Sequence, residues 1–111
     1  MEITTQNFKQ CDLVAAKGRV DSATAADLND AFEAITKGGR YKIVLDMSGV
    51  EYMSSAGMRV LIATQKECKK MGRGEVVLAA MPELIHDAFD LAGFLDLFAM
   101  YDEVTPAVGH F

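Results

Sequence analysis

Tyr52-Met53-Ser54-Ser55-Ala56-Gly57-Met58 is the stretch on which the fold and function of this chain turn. Upstream of it, Lys42-Ile43-Val44-Leu45-Asp46 reads as a strand. Its core is apolar on both faces, the pattern of a central strand covered on both sides. Downstream, Met58-Arg59-Val60-Leu61-Ile62-Ala63 opens a helix. The heptapeptide is therefore a strand-to-helix junction carrying two hydroxyls. A serine there can cap the helix, because its oxygen accepts from an otherwise unpaired backbone N–H. The helix dipole and the free N–H groups also favour negative charge at this place. The junction suits a phosphate, either as a ligand or covalently attached to a serine.

Towards the N-terminus, Glu2 to Phe8 alternates weakly and reads as an edge strand, with a turn at Lys9-Gln10. Cys11 to Lys17 reads as a second strand, broken by Gly18, and the short separation implies an antiparallel hairpin. The loop Gly18-Arg19-Val20-Asp21-Ser22 leads into a helix over Thr24 to Thr36, with Ser22 or Thr24 as cap and Asp27 in its first turn. Ala25, Leu28, Ala31, Phe32 and Ile35 give it one apolar face, and Gly38-Gly39 ends it.

Beyond the junction a long helix is expected over Ser55 to Met71, stopped by Gly72 and Gly74. Val76 to Ala79 is another apolar strand, and Pro82 suits the first turn of a third helix ended by Gly93. Leu97 to Met100 reads as a short last strand. Asp102 to Val108 reads as a terminal helix capped by Asp102. The order β-β-α-β-α-β-α-β-α implies one α/β domain over residues 1–111, with a mixed, mostly parallel sheet and an antiparallel edge strand.

Several function classes are disfavoured. The chain has 111 residues, a net charge of −5 and no basic run, which argues against nucleic acid. Lys66, Lys69, Lys70 and Arg73 cluster, but within two helical turns they read as a solvated face. No apolar stretch approaches the ~20 residues that span a bilayer. Met1-Glu2-Ile3-Thr4-Thr5 lacks a positive n-region, so the expectation is a cytoplasmic protein without membrane insertion. Cys11 and Cys68 are far apart and outside any CxxC, so they read as small core residues. Met53, Met58, Met71 and Met81 read as core fillers.

No converging set of acids, bases or ligands is visible, so neither an enzyme, a metal site nor a cofactor is expected. His110 lies beside the C-terminus and is expected to be mobile. His86, four residues before Asp90, reads as half of a surface ion pair. No G-x-S-x-G surrounds Ser54 or Ser55, and no glycine loop is followed by the Lys-Ser/Thr of a phosphate cradle. The candidate acids are Asp21, Asp46 and Glu51. Asp46 is placed at the end of a central strand, where open parallel sheets carry working residues. A phospho-accepting receiver domain would also need an acidic pair after its first strand, and only Asp12 and Asp21 are on offer.

The run from Ile43 to Leu61, the Gly72-Arg73-Gly74 turn, the strand Val76 to Ala79, the segment Pro82 to Phe94 and the loop Gly18-Arg19-Val20-Asp21 together resemble STAS domains of the anti-sigma-factor antagonist type. The resemblance implies a partner-switching binding protein, not an enzyme. In that family the unphosphorylated protein binds an anti-sigma factor that is also a serine kinase. The kinase phosphorylates a serine at the junction, the complex separates, and a serine phosphatase resets it. The acceptor lies two residues before the junction glycine, which carries over to Ser55. Many antagonists have Asp immediately before the acceptor where this chain has Ser54, so Ser54 stays the alternative. The partner surface is expected on Asp21, Ser54, Ser55, Ala56 and Gly57, together with Met58 and Arg59, which lie one turn into the helix. Other members of the family are non-phosphorylated scaffold subunits of stress-signalling or transport complexes.

Overall fold

The computed structural model describes residues 1–111, the side chain of Met71 excepted. Five strands form one sheet: β1 (Glu2–Asn7), β2 (Asp12–Val20), β3 (Lys42–Met53), β4 (Glu75–Ala79) and β5 (Ala99–Tyr101). Their spatial order follows the sequence. β1 runs antiparallel to β2, and every other pairing is parallel. Four helices intervene or follow: α1 (Ala25–Lys37), α2 (Ser55–Lys69), α3 (Glu83–Ala92) and α4 (Val104–Val108). The expected mixed sheet with one antiparallel edge strand is thus what the chain forms.

The helices are divided unequally between the two faces. Successive crossovers of one hand, advancing one strand at a time, bring consecutive helices to the same face. Leu28, Phe32 and Ile35 of α1, Met58, Leu61 and Cys68 of α2, and Ile85 and Phe89 of α3 share one core with Ile43, Leu45, Met47, Val76 and Leu78. The alternate strand residues Val44, Val77 and Ala79 point the other way, where Ala107 of α4 covers them. That is why the central strands read as unbroken apolar runs.

Several boundaries differ from expectation. Gly18 does not break β2; at φ 100° it sits in a register irregularity, and the strand continues to Val20. β3 does not end at Asp46, which pairs with Ala15 and Ala79; it continues seven residues further, held by β2 alone. α1 starts at Ala25, and α2 ends at Lys69 before a 3-10 turn over Lys70–Gly72. The Met71 side chain expected as a core filler lies outside the described residues. Leu97 belongs to a 3-10 turn, so β5 starts at Ala99. Pro82 is the N-cap of α3, not its first turn, and Glu103, not Asp102, takes that position in α4.

His110 is held, with Nδ1 2.8 Å from the Tyr101 hydroxyl and Nε2 3.2 Å from Glu75. His86 faces Asp87 at 4.0 Å on the surface, not Asp90. Both cysteines are free and buried. Burial raises the Cys11 thiol, and burial followed by Glu67 pushes Cys68 up to about 11. Neither is a thiolate at neutral pH.

Candidate functional site

The two-strand extension of β2 and β3 carries the junction at its tip. Met53 pairs with Val20, and the next backbone N–H, of Ser54, donates to the Val20 carbonyl at 2.8 Å. The chain then turns into α2. Ser54 is in the extended conformation required of an N-cap, and its Oγ accepts from the Gly57 N–H at 3.3 Å. Its carbonyl accepts from the Met58 N–H at 3.0 Å, closing the first helical turn.

That capping role separates the two serines. Ser54 is half-buried with its oxygen engaged, whereas Ser55, the first residue of α2, is exposed. Among the described residues the Ser55 hydroxyl has no hydrogen-bond partner. Ser55 is therefore the exposed hydroxyl of the two, at the end of a helix whose dipole and unpaired N–H groups favour negative charge.

The other expected site residues divide into an outward and an inward set. Arg59 is exposed one turn along α2 from Ser55, and Ala56 is half-buried. Gly57 and Met58 are buried, Met58 at 7% exposure in the main core. They shape the junction from beneath and present no side chain to a partner. Gly57 is a packing requirement, because a Cβ there would run into Met53 Sδ and reach 2.8 Å from Val20 Cγ1.

Asp21 sits beside the junction, immediately after Val20. Its Oδ1 accepts from the N–H groups of Ala23 and Thr24, both at 3.0 Å, and from the Thr24 hydroxyl at 3.1 Å. The Asp21 N–H donates to Thr24 Oγ1 at 2.9 Å in return. Thr24, expected as a cap, makes no side-chain cap bond of its own; Asp21 ties down the entry to α1. The Thr24 N–H, then its hydroxyl, hold the Asp21 carboxyl below the usual carboxylate range. Asp46 is not part of this site. It lies six β2 residues back from Asp21, roughly 20 Å at ~3.3 Å per residue, and its Oδ1 accepts from the Ser48 N–H.

Two residues not paired in the sequence reading, Arg19 and Tyr52, lie beside the junction. The Arg19 guanidinium lies 4.4 Å from the centroid of the Tyr52 ring, and Tyr52 is 42% exposed. They are register partners on β2 and β3. Their pairing was hidden until the strand register was known, since thirty-odd residues separate them. Among the described residues no group of three or more His, Cys, Asp or Glu is arranged to hold a metal ion.

Fold and junction together define an α/β domain with an exposed hydroxyl, Ser55, at the strand-to-helix turn between β3 and α2. The STAS domain model matches residues 2–107, and the chain belongs to the STAS domain family. BtrV of Bordetella bronchiseptica, assigned as an anti-sigma factor antagonist, is 29% identical over 111 residues, 100% of this chain and 95% of BtrV. A Thermotoga maritima protein assigned to the same class superposes with a TM-score of 0.89 at 18% identity, covering 97% of this chain and 92% of that one. The Bacillus cell fate determinant SpoIIAA in its phosphorylated form superposes at 0.77 with 14% identity, covering 98% of each chain.

Proposed function

We propose that this protein is an anti-sigma-factor antagonist that binds an anti-sigma factor acting as a serine kinase, and is released when that kinase phosphorylates Ser55. The carrying observation is the contrast at the junction: Ser54 is committed as the cap, and Ser55 is exposed with its hydroxyl unengaged. The name of the full-length relative BtrV and the existence of a phosphorylated form of SpoIIAA support the reading. In the transfer, Ser55 Oγ bonds to the γ-phosphorus of ATP as the β–γ bridge breaks. ADP leaves, and the hydroxyl proton passes to a base of the kinase. A serine phosphatase hydrolyses the ester and restores the binding form. The chain itself acts as a binding protein, not an enzyme.

The physics favours a switch read by the partner. A phosphate adds about −1.5 to −2 charge. At the start of α2 that charge is stabilised by about 0.3–1 kcal/mol. In a desolvated interface the same uncompensated charge costs about 3–5 kcal/mol, or roughly 10²–10³-fold in affinity. The test is incubation with ATP and an anti-sigma serine kinase from the same genome, with mass-spectrometric mapping and calorimetric binding of Ser55→Asp. Phosphate on Ser55 and loss of binding are expected. Phosphate confined to Ser54, or unchanged binding by Ser55→Asp, would refute the assignment.

A further inference from the structure

Seven of the eleven Lys and Arg residues gather at the pole where the parallel strands begin and α2 ends, remote from Ser55. They come from three separate segments, which is why no basic run is visible in the sequence. Three adjoining clefts organise them. The first, about 240 Å³, is lined by Lys9, Arg40, Lys42 and Arg73 around Tyr41, with no carboxylate among its described lining residues. It shares Tyr41 and Arg73 with a second cleft of about 130 Å³, which reaches Lys70. Lys70 in turn borders a third, about 440 Å³, beside Lys66 and Lys69. Among their described lining residues only Glu67 and Asp96 are acids, and the buried Asp12 stands behind Arg40. Seven cations against these three carboxylates and Glu75, the register partner of Lys42, leave an excess of three positive charges, in a chain whose net charge is −5.

The two guanidiniums are fixed before any ligand arrives. Arg40 Nε donates to Asp12 Oδ2 at 2.8 Å, and its Nη2 donates to the Phe8 carbonyl. Arg73 Nη1 donates to the Tyr41 hydroxyl at 2.9 Å, with the guanidinium 5.0 Å from the ring centroid. Of the five N–H donors of an arginine, Arg40 spends two on the fold, so three remain to hold a carboxylate. A preorganised cation loses less freedom on binding than a free lysine.

We infer that this string of cationic clefts is a second docking surface, which takes an extended acidic peptide segment of a protein partner. The clefts are concave and small, so a carboxylate side chain can enter where a flat bilayer surface cannot. The strongly acidic remainder of the chain repels a polyanionic nucleic acid that extends past the patch. The surface lies at the opposite end of α2 from Ser55 and is independent of the phosphorylation reading.

The test titrates the full chain into a fluorescein-labelled octaglutamate peptide at low salt and at ~0.2 M salt, with single-stranded DNA and phosphatidylserine vesicles as parallel arms. The peptide is expected to bind at low salt, to weaken as salt rises, and to bind more tightly than DNA or vesicles. Lys42→Gln with Lys70→Gln should weaken peptide binding by about tenfold. Thr4→Glu with Ala26→Glu lowers the net charge by the same two units elsewhere and should leave binding within about twofold. No peptide binding at low salt, tighter binding of DNA or vesicles, or an equal loss in both variants overturns the inference.

Discussion

Gly57→Ala is the substitution that separates helix propensity from packing at the junction. Gly57 lies in the first turn of α2, where propensity alone predicts that Ala stabilises by about 0.8–1 kcal/mol. The structure opposes this, because the new methyl would meet Met53 Sδ and come within 2.8 Å of Val20 Cγ1. Met53 ends in a flexible thioether that can move aside. Val20 cannot: it is β-branched, fully buried and last on a strand bonded to β3. Overpacking of that kind costs about 1–3 kcal/mol. The expected balance is a net loss of up to about 2 kcal/mol, a fall in midpoint of up to roughly 8 °C for a domain of this size. Urea titration with an unchanged slope measures it. In a Val20→Ala background the methyl gains room, so Gly57→Ala should there be neutral or stabilising, a coupling of at least ~1 kcal/mol. If Gly57→Ala stabilises the wild-type protein by the full propensity increment, the close approach of Val20 to this helix is wrong.

The two serines should part company in the same titration: Ser54→Ala loses about 1 kcal/mol with its cap, while Ser55→Ala stays within ~0.5 kcal/mol. Ser55→Asp should leave stability unchanged or raise it by about 0.3–1 kcal/mol, the gain fading in high salt. Gln65→Leu should cost about 2–3 kcal/mol, because the buried amide accepts from the Val76 N–H at 2.6 Å and donates to the Leu97 carbonyl at 2.7 Å; urea unfolding reads this directly. Asp21 supplies a pH dependence. Its folded pKa lies below the unfolded value of about 3.9, so its contribution is present above pH ~4 and is lost as pH falls through the folded pKa. Asp21→Asn should flatten that acidic part of the stability–pH curve.

What the sequence disclosed and what it withheld follow from the range of the forces involved. Ile43-Val44-Leu45 and Val76-Val77-Leu78 announced two central strands, since a strand buried on both faces has no polar alternation to hide it. The Ser-Ser-Ala-Gly turn and the glycine stops of the helices are local signals and were legible as such. The extension of β3 to Met53 was not, because Ser48, Gly49 and Glu51 are poor strand residues held there by pairing with β2. With that extension unseen, Asp46 looked like the end of a strand. Nor could one sequence separate Ser54 from Ser55, or show that Met58 turns inward, before the cap bond to the Gly57 N–H fixed the start of α2. The Arg19–Tyr52 pair and the cationic clefts needed tertiary structure outright.

On the proposed function, the junction joins two demands that conflict at most sites of modification: a residue must be exposed enough to enter a kinase, yet its surroundings must stay rigid when it is charged. Here the tasks fall to different residues. Ser54, the Gly57–Val20 contact and the Asp21–Thr24 bonds hold the turn, and none of them uses the Ser55 side chain. A charge on Ser55 meets the start of α2 and has the exposed Arg59 one turn away at the i,i+4 spacing, with the anion N-terminal as such pairs prefer. Both interactions act in the folded domain's favour, by tenths of a kcal/mol to about 1 kcal/mol, against the several kcal/mol that the same charge costs in a dry interface. On that reading, the difference in sign and size would make the modification a statement to the partner. The same reading predicts that Arg59, attracted to a phosphate on its own helix, is withdrawn from any acid of the partner that it meets when Ser55 is unmodified.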